Sequence, residues 1–212
     1  MNEISALQLT QLLITKLCHD IVGPIGAINN GVEFLQEAGG MEKQAIALIA
    51  DSSSQAIARI QFYRYLYGLM KEQEVVSLDD KQALCESFYQ SSKVKLHWHE
   101  VLNEKLPNIT PEDLRIICNL ILIAGGSLMR GGDVCINYSG ENVIEVKAKG
   151  SQAVLHDELQ DILRNEGEHV PNATNVQVIY TKMLIVKQGG NVRLTLDGES
   201  LELHYMLKNK GG

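Results

Sequence analysis

The sequence of 212 residues has no surplus of basic residues and no long apolar run. Lysine and arginine number 19 against 26 aspartate and glutamate, whereas proteins that bind nucleic acids usually carry a basic surplus. The longest nearly apolar run, residues 116–124, is far shorter than the roughly 20 residues that a membrane-spanning helix needs. The amino terminus also lacks a basic region leading into an apolar core. We therefore expect a soluble cytoplasmic protein that binds neither nucleic acid nor membrane.

The sequence has few candidates for a metal site. Its four cysteines are scattered, without the CxxC pairs typical of zinc or thiol redox sites, and we expect most of them to be buried small hydrophobic residues. His97 and His99 lie two apart in a strand-like segment and would share a sheet face. No further His or Cys lies close enough in the sequence to complete a set of ligands. We predict no metal site.

A change in composition near Val75 divides the chain into residues 1–75 and residues 76–212. The first part has two long helical patterns, and the second has short β-patterned segments that alternate with helices. The apolar residues of the first pattern recur with an average spacing of 3.5, as in a coiled coil. They are Ile14, Leu17, Ile21, Ile25, Ile28, Val32 and Leu35. After a stop at Ala38-Gly39-Gly40 a second seam follows, with Ile46, Ile49, Ile57, Ile60, Tyr63 and Tyr67, and it ends at Gly68.

These two seams predict an antiparallel helical hairpin. Two helices alone cannot shield both seams from water, so we expect a second copy of the chain to complete a four-helix bundle. A strong helix start is predicted at Thr110-Pro111-Glu112-Asp113, with Thr110 as the cap, Pro111 in the first turn and two acidic residues that match the helix dipole. The other elements expected in residues 76–212 are helices near 77–90, 155–165 and 174–188, and strands near 93–99, 133–138, 143–149, 191–196 and 201–207. This order predicts an α+β sandwich with helices on one face of a mixed sheet.

His19 is the residue of the first helix that is best suited to chemistry. It lies about 200° around the helix from Leu17, which predicts that it points to solvent. Gly23 and Gly26 follow on the same face, although glycine costs a helix about 1 kcal/mol relative to alanine. A bare surface there would let another protein approach the imidazole, and Asp20 would fix its tautomer by accepting a hydrogen bond. Helical glycines also serve tight helix packing, so the local pattern alone leaves both interpretations open.

The segment LCHDIVGPIGAINNG, residues 17–31, resembles the H box of sensor histidine kinases. Its pattern HDxxGPxGAxxNG is more similar to the ChpT-type histidine phosphotransferases of alphaproteobacterial phosphorelays. The resemblance covers the whole chain and implies a dimerising hairpin followed by a degenerate ATPase-like domain. In that domain Ile123 stands where kinases have the Asn that binds Mg²⁺, Ala148 replaces the adenine-binding Asp, and Gln152 replaces a loop glycine. Residues 173–176 occupy the place of the glycine-rich phosphate loop.

This resemblance implies a phosphotransferase that cannot charge its own histidine from ATP and has no cofactor of its own. His19 and Asp20 would be its catalytic residues, and Mg²⁺ would lie on the partner. The partners implied are response-regulator receiver domains, including that of a hybrid histidine kinase, which exchange phosphate between their aspartates through a phosphohistidine. The expected docking residues are Thr15, Lys16, Gly23, Gly26, Arg59 and Arg64. Both arginines lie in a stretch, ARIQFYRYLYG, that is similar to the family, although solvated helix arginines would look the same.

Two other functions stay open at this stage. A divergent kinase would bind ATP, which calorimetry would detect. A non-catalytic module would bind a regulator tightly, while His19 would never carry phosphate.

Overall fold

The computed structural model describes residues 4–36, 40–68, 77–99, 109–140 and 142–208. The chain begins with two long helices, α1 at Ala6–Gln36 and α2 at Glu42–Tyr67. Gly40 precedes α2 with a φ of +75°, a conformation that suits glycine. Ala38 and Gly39 of the predicted stop lie outside the described residues, as does the predicted domain boundary at residues 75 and 76.

The two helices form the predicted antiparallel hairpin, because early residues of α1 contact late residues of α2. Gly31 lies against Ala45 at one end of the pair, and Asp20 contacts Tyr63 nearer the other. Small and apolar side chains fill the interface between the helices. The buried residues of α1 are Leu13, Pro24 and Gly31, and those of α2 include Ala45, Ser52, Ala56 and Ala58.

Part of the predicted seam does not lie in this interface. The exposed large hydrophobic residues of the hairpin include Ile14, Ile25, Val32, Leu35, Ile46, Ile57 and Ile60. Most of them follow a buried contact residue by one position, as Ile25 follows Pro24 and Ile57 follows Ala56. Because the helices are antiparallel, the same rotation of about 100° brings both rows to one side of the hairpin. We call Ile14, Ile25, Val32, Ile46, Ile57 and Ile60 the apolar face.

The second part of the chain contains four helices and five strands among the described residues. They are α3 Leu78–Tyr89, β1 Val94–Trp98, α4 Pro111–Gly126, β2 Gly132–Gly140, β3 Val143–Lys149, α5 Asp157–Arg164, α6 Val176–Lys187, β4 Asn191–Leu196 and β5 Ser200–Met206. The strand order is β1-β2-β3-β5-β4, with β1 parallel to β2 and the other pairs antiparallel. The predicted α+β class, with a helical hairpin before a mixed sheet, is confirmed.

Helix α4 is the centre of the second part. Thr110 caps it as predicted: its hydroxyl accepts from the Asp113 backbone, while the Asp113 carboxylate accepts from the Thr110 backbone. Most of the helix is buried against the sheet, whose strand β3 alternates between buried and half-buried side chains. The Tyr205 hydroxyl of β5 donates to Asp113 at 2.7 Å, which ties the sheet to the start of α4.

The end of α2 packs directly on this second part. Phe62, Tyr63 and Leu66 belong to the same hydrophobic core as α4 and the sheet. The Tyr180 hydroxyl of α6 donates to the Leu66 carbonyl at 2.8 Å, and the Tyr67 hydroxyl donates to Gln177 Oε1. The hairpin is therefore anchored to α6 by polar and apolar contacts. No helix in the described ranges is long and apolar enough to cross a membrane.

Candidate functional site

His19 lies near the middle of α1 with 87% of its side chain exposed, as the helical geometry predicts. Its Nδ1 atom is 3.1 Å from Oδ1 of Asp20. The other ring nitrogen, Nε2, belongs to the part of the imidazole that extends into solvent. The residue thus presents one nitrogen to its neighbour and one to an incoming molecule.

Asp20 is held by three side chains and is only 18% exposed. Its Oδ1 faces His19, and its Oδ2 accepts from the Tyr63 hydroxyl and from Lys16 Nζ at 3.1 Å. Burial alone would raise the pKa of Asp20, but the hydrogen bonds from Tyr63 and His19 and the charge of Lys16 outweigh it. The pKa therefore lies below its ordinary value, and Asp20 is a carboxylate at neutral pH.

The charge of Asp20 fixes the tautomer of His19. A carboxylate only accepts hydrogen bonds, so the ring nitrogen that faces it must carry the proton. Nδ1 is therefore protonated, and Nε2 of the neutral ring holds a free electron pair. An exposed nitrogen with a free electron pair and a fixed direction is suited to act as a nucleophile.

The helix surface beside His19 is bare. A Cβ atom added to Gly23 or to Gly26 would meet no atom of another described element within 4 Å. Among the described residues these two glycines therefore do not pack against another helix, which favours the interpretation of a bare surface. Thr15 is also exposed, and its hydroxyl donates to the Gln11 carbonyl of its own helix. Lys16 belongs to the Asp20 cluster through its ion pair, in addition to lying on the predicted docking surface.

The two arginines predicted to dock a partner lie on α2. Arg59 is half-buried, with its guanidinium 5.6 Å from the centre of the Phe88 ring, and it lines a cavity between α2 and α3. Arg64 is exposed. Within the described part of the chain, neither arginine forms a hydrogen bond or ion pair with His19 or Asp20. The structure thus brings Lys16, His19 and Asp20 together and leaves the arginines outside that cluster.

Four positions near the nucleotide site that the resemblance implies are buried within the described residues, whereas Gln152 is exposed. Ile123 and Ala148 are buried apolar residues. Asn119 is fully buried, with its amide bonded to the Arg115 carbonyl and its oxygen accepting from Gln177 at 2.6 Å. Asn175, in the segment that replaces the phosphate loop, is also buried and donates to Glu158 and to the Val170 carbonyl. These amides are committed to contacts within the chain.

The remaining candidates from the sequence are two histidines and the four cysteines. His97 Nε2 lies 2.7 Å from Asp133 Oδ1 at the edge of the sheet. In the described ranges no group of three or more His, Cys, Asp or Glu is arranged to hold a metal ion. Cys85 and Cys118 are buried as expected, but Cys135 is half-buried and Cys18 is exposed.

Tyr63 contributes its hydroxyl to the site, and the sequence analysis assigns this residue only to an apolar seam. Its apolar spacing assigns it to the second seam, yet its hydroxyl reaches Asp20 across the hairpin, 43 residues away in the chain. The Tyr63 ring stacks on Tyr67, with centroids 5.5 Å apart, and the Tyr67 hydroxyl donates to Gln177 of α6. The only signal in the sequence is the run of aromatic residues at the end of α2.

A family model, a curated protein and a solved structure indicate one family of phosphotransferases. Residues 78–200 match the family model described as the histidine phosphotransferase C-terminal domain. The chain is 30% identical over 203 residues to the protein phosphotransferase ChpT of Brucella abortus (strain 2308), which covers 93% of this chain and 95% of that protein. A solved structure described as a bacterial phosphotransferase matches with a TM-score of 0.79 and 28% identity, over 96% of this chain and 98% of that chain. The histidine kinase AdeS of Acinetobacter baumannii matches with a TM-score of 0.48 and 14% identity, over 91% of this chain and 98% of that chain.

Proposed function

This chain belongs to the ChpT-type family of histidine phosphotransferases, and we propose that His19 is the residue on which it carries the phosphoryl group in a phosphorelay. One observation carries this assignment. The exposed His19 is held through Nδ1 by an ionised Asp20, so its Nε2 is directed to solvent beside the bare surface of Gly23 and Gly26. A partner's phosphoaspartate can approach that nitrogen without meeting a side chain from these two positions.

The transfer step requires little beyond this geometry. The electron pair of His19 Nε2 attacks phosphorus in line as the bond from phosphorus to the aspartyl oxygen of the donor receiver breaks. That oxygen keeps the bonding pair and leaves as a carboxylate. The proton stays on Nδ1, and the positive charge that develops on the ring faces the Asp20 carboxylate, which stabilises it. The same steps in reverse pass the phosphoryl group to the aspartate of a second receiver.

The partners in this proposal are response-regulator receiver domains, with the receiver of a hybrid histidine kinase as one donor. Thr15, Lys16, Gly23, Gly26, Arg59 and Arg64 are proposed as docking residues. The Mg²⁺ that neutralises the transferring group would be bound by the receiver. We propose no nucleotide cofactor for this chain, because Ile123 and Ala148 offer no polar group to a nucleotide, and Asn119 and Asn175 already have partners.

We also propose that the protein is a homodimer in the cytoplasm and that the apolar face is its interface. Ile57 is 53% exposed and Ile14 is 55% exposed in the single chain. A contiguous exposed apolar surface on one side of a hairpin is unfavourable in water and marks an interaction site. A second copy offers the same face and would close a four-helix bundle. His19 lies on another side of α1 and would remain exposed in such a dimer.

The decisive experiment measures the transfer of radiolabelled phosphate, called label below, from a phosphorylated, Mg²⁺-loaded receiver domain to the purified protein. A parallel reaction contains radiolabelled ATP. We expect acid-labile label from the receiver and none from ATP. His19→Asn should abolish labelling by the receiver. The control His156→Ala should leave it unchanged, because His156 is exposed and its side chain forms no hydrogen bond that caps α5. Label from ATP would identify an active kinase. Binding of receivers without any label on His19 would identify a non-catalytic module.

A further inference from the structure

Tyr63 is a buried residue with a hydroxyl that serves the candidate site. Its side chain is almost fully enclosed, and its hydroxyl donates to Oδ2 of Asp20 from the other helix of the hairpin. Burial raises the pKa of Tyr63, and the adjacent Asp20 carboxylate raises it further, so the hydroxyl stays protonated and can only donate to that carboxylate. The bond therefore persists wherever Asp20 is ionised.

This bond decides which way the carboxylate of Asp20 faces. Tyr63 and Lys16 both engage Oδ2, which leaves Oδ1 directed at Nδ1 of His19. The Lys16 side chain is long and flexible, and it reaches Asp20 from one turn away on the same helix. Tyr63 is held by its ring, which contacts Phe62, Tyr67 and Phe88. Of the two donors, Tyr63 is the one with a fixed position.

The second part of the chain holds Tyr63 in this position through Tyr67. The Tyr67 hydroxyl donates to Gln177 of α6, whose amide donates in turn to Asn119 of α4. Tyr67 stacks on Tyr63 with an interplanar angle of 14°. A continuous set of contacts therefore joins α4 and α6 to the carboxylate beside His19. The degenerate ATPase-like domain acquires a role at the site that needs no nucleotide.

We propose that Tyr63 is a positioning residue for phosphotransfer: its hydroxyl orients the Asp20 carboxylate and thereby keeps the His19 proton on Nδ1 and the free electron pair on Nε2. This proposal rests on the assignment of His19 as the carrier. It goes beyond that assignment, because it explains the reactive tautomer of His19 by a residue of α2. The contacts of that residue extend to the second part of the chain.

The test compares Tyr63→Phe with Tyr89→Phe in the full-length protein. Both changes remove one buried hydroxyl and keep the ring, but the Tyr89 hydroxyl donates to the Ile121 carbonyl and not to the site. Two quantities are measured: the rate of label uptake from the receiver domain and the tautomer of His19, from the ¹⁵N shifts of its ring nitrogens. We expect Tyr63→Phe to slow uptake about tenfold, the order expected when a hydrogen bond to a charged group is lost. The ¹⁵N shifts should show a mixture of tautomers in Tyr63→Phe, and Tyr89→Phe should match the parent in both measurements.

The outcomes separate this proposal from the proposed function. If the parent takes label and Tyr63→Phe matches it in both rate and tautomer, the positioning role is wrong, while His19 remains the carrier. If both variants slow uptake equally and neither changes the tautomer, the effect is one of stability and the positioning role is again wrong. If the parent takes no label from a panel of receivers, the proposed function fails. The ¹⁵N shifts alone then decide whether Tyr63 sets the tautomer.

Discussion

Gly31 of α1 lies so close to Ile49 of α2 that a Cβ atom added to it would be 2.6 Å from Ile49 Cγ1. The added Cβ atom would also be 3.2 Å from the carbonyl oxygen of Ala45. Gly23 and Gly26, on the same helix, have open space instead. The glycines of α1 therefore have two different roles: Gly31 allows the helices of the hairpin to approach, and the other two keep the surface beside His19 bare.

Gly31→Val should destabilise the hairpin. Its side chain would overlap Ile49 and the Ala45 carbonyl, and because one of these neighbours is backbone, the helices themselves must move apart. Overpacking of this kind costs about 1–3 kcal/mol, so we expect the free energy of unfolding to fall by about 2 kcal/mol. Urea unfolding followed by circular dichroism measures it. An unchanged unfolding midpoint would contradict the close contact between Gly31 and α2.

Gly23→Ala and Gly26→Ala should have the opposite effect on stability and a harmful effect on transfer. Each replaces a glycine inside a helix without a clash with any other described element, which should stabilise the protein by up to about 1 kcal/mol. The added methyl group lies where a receiver would approach His19, so we expect label uptake to slow about tenfold.

The matched control for these two variants is Gly126→Ala. Gly126 is also a helical glycine with open space around it, but it lies at the end of α4. It should leave the rate of label uptake unchanged. If Gly23→Ala and Gly26→Ala are both as fast as Gly126→Ala, the bare surface does not contact the receiver.

Ile57→Glu should produce a monomer. A charge at the centre of the apolar face would have to be buried in the proposed dimer without a partner, which is strongly unfavourable, whereas it would be solvated in the single chain. Light scattering at micromolar concentration should give the mass of a dimer for the parent and of a monomer for the variant. Val186→Glu, at an exposed apolar residue of α6, should remain dimeric. A monomeric parent would contradict the proposed interface.

The sequence was sufficient to predict the elements, the α+β class and the exposure of His19, because these depend on local periodicity. It could not separate the residues that close the hairpin from those of the apolar face. Pro24 and Gly31 are buried between the helices, and neither has the large apolar side chain that a seam is recognised by. Tyr63 was missed for a related reason: its spacing fits a seam, and only the antiparallel packing of α1 and α2 brings its hydroxyl to Asp20.

Asp20→Asn should reduce stability in a way that depends on pH. The pKa of Asp20 in the folded protein lies below its ordinary value of 3.8, because the hydrogen bonds from Tyr63 and His19 and the charge of Lys16 outweigh the effect of burial. Folding therefore favours the ionised form. The stability that this carboxylate contributes is complete above the ordinary value and is lost as the pH falls through the folded-state pKa.

We expect Asp20→Asn to lower the free energy of unfolding by about 1–2 kcal/mol at pH 7, since hydrogen bonds to a charged acceptor are replaced by weaker ones. The difference between parent and variant should be the same at pH 5 and should narrow only below about pH 4, where Asp20 of the unfolded parent becomes protonated. Urea unfolding of both proteins at pH 7, 5 and 3.5 measures it. A difference that has already disappeared at pH 5 would mean that Tyr63 and His19 do not hold Asp20 in its ionised form, and the argument that places the proton on Nδ1 of His19 would fail with it.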